Sequence, residues 1–149
     1  MLNGVKNIMN ITDTYSKLFE HEYIRNVEIK NRIVFAPIST NLASIIGEVS
    51  ERLVQHYYRV ANGGAGLIIV ENACVQFPEG RHGAAQPRID SDEFILGLYH
   101  LAQAIHQSGA KACIELAHPG GTADPQVTKR QPVAPSSVPI KLKDLFREN

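Results

Sequence analysis

A chain of 149 residues with 44% hydrophobic and 20% charged residues has the composition of an ordinary globular domain. It could bury roughly 70% of its unfolded surface, which excludes disorder as its main state. Fifteen Lys+Arg balance fifteen Asp+Glu, so there is no basic excess to neutralise nucleic-acid phosphates and no acidic solvating tail.

The two cysteines, Cys74 and Cys113, are too few for a disulfide-stapled scaffold, and each lies in an apolar run. Both read as reduced, buried thiols. The opening MLNGVKNIMNIT has no apolar core followed by a small-residue cleavage site, and the longest apolar stretches are strand-sized, far below the ~20 residues that span a bilayer. The expectation is a cytoplasmic soluble protein without nucleic-acid or membrane partners.

In chain order, residues 1–17 are an irregular lead-in. LFEHEYIRNVEIK, Leu18 to Lys30, sets Arg25-Asn26 between two β-prone pieces and suggests a small hairpin, with a plain irregular lead as the alternative. RIVFAP, Arg32 to Pro37, is rich in β-branched and aromatic residues and predicts a buried strand stopped by its proline. Ser50 can cap a helix carrying Leu53, Val54, Tyr57, Tyr58 and Ala61 on one stripe, ended by Gly63-Gly64.

GLIIVE, Gly66 to Glu71, reads as a strand covered on both faces, as in a parallel sheet. After a loop with Pro78, Gly80 and Gly83, Asp90 and Glu93 have the spacing of a capping box ahead of Phe94, Ile95, Leu98, Leu101, Ala102 and Ile105. Gly109 closes that helix and KACIEL, Lys111 to Leu116, forms a third strand. QPVAPSSVP, Gln131 to Pro139, with three prolines, is an extended loop, and the closing KLKDLFREN looks like the start of a helix. Strand, helix, strand, helix, strand predicts right-handed parallel α/β units, with chemistry at the C-terminal ends of the strands.

At those ends the residues leave several options. Glu115 is a carboxylate within an apolar strand, where it would be buried, and a buried charge is costly unless paired or bonded, so it should serve a ligand or a partner. Glu71 repeats the situation one unit earlier, and the two acids could act as general acid and base or as ion-paired scaffold. His118 near Glu115 raises the question of a metal, but the other histidines lack ligand-like clustering and no zinc-type spacing exists, so no metal is expected. His100 and His106 read as solvated-face residues. No Walker sequence, strand-to-helix GxGxxG or GxSxG elbow is present. GGAG, Gly63 to Gly66, precedes a strand and is a helix stop. These features give an incomplete parallel α/β unit and do not name a reaction.

The order of segments resembles the old yellow enzyme family, in its bacterial branch of NADH:flavin oxidoreductases and dienoyl-CoA or enoate reductases. The matching pieces are IKNRIVFAPISTNLA (Ile29 to Ala43), Tyr57-Tyr58, ANGGAGLIIVE (Ala61 to Glu71), PEGR (Pro78 to Arg81), GAKACIELAHPGG (Gly109 to Gly121) and PVAPSSVP (Pro132 to Pro139). The resemblance runs from about Leu18 to the C-terminus. It implies that residues 18–149 form about three β/α units of an eight-stranded TIM barrel, preceded by the hairpin, with FMN at the mouth of the strands and NAD(P)H as reductant in the complete enzyme.

By the same resemblance Pro37, Ile38 and Ser39 would touch the flavin. Asn72 stands where the family usually has Ala or Gly, and Glu115 where it usually has a Gln bonding the flavin pyrimidine edge. A carboxylate there would accept from the flavin N3 proton or carry a raised pKa. Gly121 replaces an Arg common after the family's His-Ala-Gly piece. The catalytic residues and phosphate-binding loops belong to later strands, so no catalytic residue is assigned. The implied function is the N-terminal part of an FMN-dependent ene-reductase acting on a small-molecule alkene, inactive alone. The alternative is a non-enzymatic partial barrel that associates with a complementary half or with itself through open edges.

Overall fold

The computed structural model describes residues 15–137. The first fourteen residues of the expected lead-in and the helix expected in KLKDLFREN lie outside them. A single turn, α1 (Ser16–Phe19), is followed by an antiparallel hairpin of β1 (Glu22–Ile24) and β2 (Val27–Ile29). Arg25 at the turn takes φ +56, the left-handed conformation that a two-residue reversal demands. The hairpin expected over Leu18 to Lys30 is present.

The remaining strands form one parallel sheet in the order β3 (Val34–Phe35), β4 (Leu67–Cys74), β5 (Lys111–Ala117). Helix α2 (Glu51–Asn62) connects β3 to β4 and α3 (Ile95–His106) connects β4 to β5. Both pack on the same face of the sheet. Leu53, Tyr57 and Ala61 of α2 meet Ile68 and Val70 of β4 and Leu101 and Ile105 of α3 in one buried cluster. Each fully buried Leu or Ile contributes roughly 1.5–3 kcal/mol of stabilisation by leaving water. After β5 come a 3-10 turn (Gly120–Thr122) and the short α4 (Pro125–Thr128), and residues 131–137 run without helix or strand.

Local chemistry fixes these boundaries. Ser50 caps α2, its Oγ accepting from Leu53 N at 3.1 Å. The helix stops at Gly63, and Gly64 takes φ +107. Asn31, 9% exposed, joins the hairpin to that stop: Nδ2 donates to Gly64 O at 2.7 Å and Oδ1 accepts from Ile33 N at 3.1 Å. A Cβ on Gly66 would lie 2.7 Å from Asn31 Oδ1, so the close approach requires glycine.

Four expectations are corrected. The strand expected over Arg32 to Pro37 shrinks to Val34–Phe35 and is not buried, because it is an outer strand and Val34 is 45% exposed. Cys113 is exposed, whereas Cys74 is buried as expected. Glu115 is likewise exposed. Both lie on β5, where Ala112 and Ile114 pack toward the helical core and the intervening side chains do not. The apolar run reports one covered face, not two. Finally, Asp90 does not cap: the cap position before the 3-10 turn Asp92–Phe94 is Ser91, with no side-chain bond. Asp90 instead pairs with Arg88.

Candidate functional site

The C-terminal ends of β3, β4 and β5 sit side by side, about 4.8 Å apart strand to strand, and each delivers a polar group. From β3 the chain leaves through Pro37, half-buried, and Ile38 and Ser39, both exposed. Ser39 Oγ donates to Asn72 Oδ1 at 3.1 Å. Asn72 lies in β4 at an irregularity: Val70 pairs with Ile114 and Ala73 with Leu116, so Glu71 and Asn72 together oppose the single residue Glu115. Such a bulge re-aims side chains at a strand end. The structure therefore brings Ser39 and Asn72 into contact and puts Glu115 on the next strand.

The donor and acceptor supply at this ledge is specific. With its Oδ1 engaged by Ser39, Asn72 offers Nδ2, which has no partner among the described residues. The Glu115 carboxylate makes no hydrogen bond among them either, and it offers only acceptors. An N–H donor on β4 and a carboxylate acceptor on the adjacent β5 are the kinds of group that a planar edge of alternating C=O and N–H takes. The pyrimidine edge of a flavin has that order, and on this observation the residues present fit FMN.

Behind the ledge, Glu71 is buried. Its Oε2 accepts from Thr40 N at 2.8 Å and its Oε1 from Thr40 Oγ1 at 2.6 Å. Its own N–H donates to the Tyr57 hydroxyl at 2.7 Å. Glu71 and Glu115 thus occupy different environments: one anchors a loop and the other faces out.

The loops above the strands are stitched together. Gln86, 5% exposed, donates through Nε2 to Asn72 O at 2.9 Å and accepts at Oε1 from His82 N at 2.7 Å. Ala43 N donates to Ala85 O at 3.2 Å, and Arg88 N to Gly47 O at 2.9 Å. The Arg88 guanidinium lies 4.2 Å from the Phe77 ring centre and 4.5 Å from that of Phe94. It grips Asp90 with two bonds of 2.8 and 3.1 Å. That pairing holds the Asp90 carboxyl below the usual carboxylate range. A Cβ on Gly47 would collide with the Arg88 side chain, which is why the first loop passes there as glycine.

His118 supports a loop. Its Nδ1 accepts from Gly120 N at 3.0 Å, leaving the proton of the neutral ring on Nε2. A Cβ on Gly80 would come within 2.9 Å of its Cδ2. No cluster of His, Cys, Asp and Glu able to hold a metal occurs among the described residues. Likewise, no helix among them is long and apolar enough to cross a membrane. Sequence reasoning missed Thr40, Asn41 and Gln86. Their partners lie 31, 44 and 14 residues away, and no local pattern signals such bonds.

Residues 17–148 match the NADH:flavin oxidoreductase / NADH oxidase family. An NADH oxidase of Thermoanaerobacter brockii is 45% identical over 126 residues, which is 84% of this chain and 19% of that protein. An old yellow enzyme homologue from Zymomonas mobilis superposes with a TM-score of 0.73 at 30% identity, covering 82% of this chain and 34% of that one. Morphinone reductase in complex with tetrahydroNAD gives a TM-score of 0.71 at 27% identity, over 81% of this chain and 33% of that one. The chain therefore spans about a fifth of the length of this NADH oxidase and a third of each of these solved structures. Its α/β units are the N-terminal portion of a TIM barrel, and among the described residues the barrel is not closed.

Proposed function

The chain belongs to the NADH:flavin oxidoreductase / NADH oxidase family, and from that premise we propose that it supplies the early flavin-facing strand ends of an FMN-dependent NAD(P)H oxidoreductase. The observation that carries this reading is the polar ledge of Ser39, Asn72 and Glu115 on three adjacent strand ends. In a barrel of this type that end is where ligands bind and reactions run.

When bound, FMN would supply the redox chemistry, hydride transfer between NAD(P)H and an electron-poor alkene. The chain's own residues bind and orient. Bound there, a flavin would find in Glu115 an acceptor for its imide N–H and in Asn72 Nδ2 a donor to the carbonyl beside it. The Ser39 hydroxyl engages Asn72 Oδ1 and leaves the Asn72 N–H groups available to donate. Pro37 and Ile38 offer a half-buried and an exposed apolar surface for a ring to rest on. No catalytic proton donor is assigned to these residues, and turnover belongs to the complete enzyme.

Ligand sites enclose most of their ligand, whereas this ledge is open. The 149 residues alone should bind FMN weakly, with a Kd on the order of 1 mM, about 4 kcal/mol. Titrating the 15N-labelled chain with FMN should shift the resonances of Ser39, Asn72 and Glu115 together, saturating only in the millimolar range. Shifts confined to another surface, or a tight stoichiometric yellow complex, would contradict the reading.

A second reading is favoured by the sheet's outer strands. Neither β3 nor β5 has a further strand partner among the described residues. A mostly apolar cavity of about 170 Å³, lined by Leu98, Leu101, Ala102, Ile105 and Ile114 among others, lies between α3 and β5. Such edges and hollows template association with a complementary half or with a second copy. Size-exclusion chromatography should then show an apparent mass that rises with concentration, and a monomer at all concentrations would remove this reading.

A further inference from the structure

Glu71 is 1% exposed, and no cation pairs with it among the described residues. A buried carboxylate without a counter-charge is costly, and an apolar side chain of the same volume would carry no such cost. What the carboxylate does is hold one loop by both oxygens, through Thr40 N at 2.8 Å and Thr40 Oγ1 at 2.6 Å. Thr40 Oγ1 in turn accepts from Leu42 N at 3.2 Å, so this hydroxyl both donates and accepts and its orientation is fixed.

The neighbours of these two residues also meet. Ser39 precedes Thr40, Asn72 follows Glu71, and Ser39 Oγ donates to Asn72 Oδ1 at 3.1 Å. Two peptide links and two sets of hydrogen bonds close a ring around the end of β4. The ring is fastened to the core because Glu71 N donates to the Tyr57 hydroxyl at 2.7 Å.

We infer that Glu71 is a positioning residue for the site: its buried carboxylate sets the loop after β3 through Thr40, and so fixes where the Ser39 and Asn72 side chains lie. The consequence for ligand binding rests on the flavin reading above, whereas the hold on the loop does not. Glu71 touches no ligand in this role, and neither general acid nor general base chemistry is asked of it.

The test compares the full chain with Thr40→Val, Thr40→Ser and Glu71→Gln by two readouts: amide hydrogen exchange at Thr40 and Leu42, and FMN-induced shifts at Ser39 and Asn72. Thr40 is a half-buried loop residue, so its variants should keep the core resonances of Leu53 and Leu101 in place. Thr40→Val should speed exchange at Leu42 at least tenfold and cut the FMN-induced shift at Asn72 at least fivefold. Thr40→Ser, which restores the hydroxyl, should return both to within about twofold, and Glu71→Gln, with one acceptor oxygen instead of two, should fall between. Wild-type exchange in Thr40→Val and Glu71→Gln would overturn the positioning role. So would faster exchange with FMN-induced shifts unchanged, since the loop would then move without moving the site. Faster exchange in the variants with no FMN-induced shift in the wild type would uphold the hold on the loop and overturn the flavin reading.

Discussion

Tyr57 is where the core and the site share an atom. Its ring packs edge-on against Phe35, with centroids 6.4 Å apart, and against His56 at 5.1 Å, while its hydroxyl takes the Glu71 N–H. Burial, ahead of the nearby Glu71 and Glu115 charges, pushes the phenol up to about 12. The folded state therefore holds this proton more tightly than the unfolded chain, whose tyrosines titrate near 10. The resulting stability is fully present below pH 10 and is lost as pH rises through about 12. Denaturant unfolding followed from pH 9 to 12 should show the midpoint falling across that window in the wild type and much less steeply in Tyr57→Phe. At pH 7 the variant should start about 1–3 kcal/mol lower, because Glu71 N is left without an acceptor. Equal slopes in the two proteins would contradict the assignment of that proton to Tyr57.

Elements are held by caps and turns as much as by apolar stripes. Ser50 serves α2 twice: its Oγ accepts from Leu53 N and donates to Leu42 O, so one side chain starts the helix and ties down the preceding loop. Ser50→Ala should cost about 1 kcal/mol, within the usual range for losing such a cap, and thermal unfolding by circular dichroism should show it as a lower midpoint. A change below about 0.2 kcal/mol would mean that water replaces the serine without loss. Helix α2, strands β4 and β5 and the stop at Gly63-Gly64 were legible because each rests on local periodicity or a local cap. The capping box at Asp90 was misread for a physical reason. The spacing to Glu93 is right, but Arg88 two residues earlier offers a bidentate charged bond that a cap cannot match. The exposure of Cys113 and Glu115 was misread because an apolar run in a strand does not say how many faces other elements cover.

At the scale of the whole molecule, the parallel α/β units with polar groups at the C-terminal ends of their strands were readable from segment order, whereas the packing of both helices on one face of the sheet was not. The family resemblance added the flavin-facing assignments of Pro37, Ile38, Ser39, Asn72 and Glu115, and those remain proposals. What could not be read was the scaffold behind the ledge. The Glu71–Thr40 bonds, Gln86 under Asn72 and the Arg88 sandwich join residues that only the fold makes neighbours. They tie the ledge to the core and to the loops around it.

On the proposed reading, these strand ends address the ring of a flavin and not its phosphate. Titration of the labelled chain with riboflavin, which carries the ring and sugar chain without the phosphate, tests that claim directly against FMN at matched concentrations. Riboflavin should leave the same footprint on Ser39, Asn72 and Glu115, with initial shifts within about twofold of those FMN produces. A footprint that vanishes with the phosphate, or that moves away from these three residues, would contradict it.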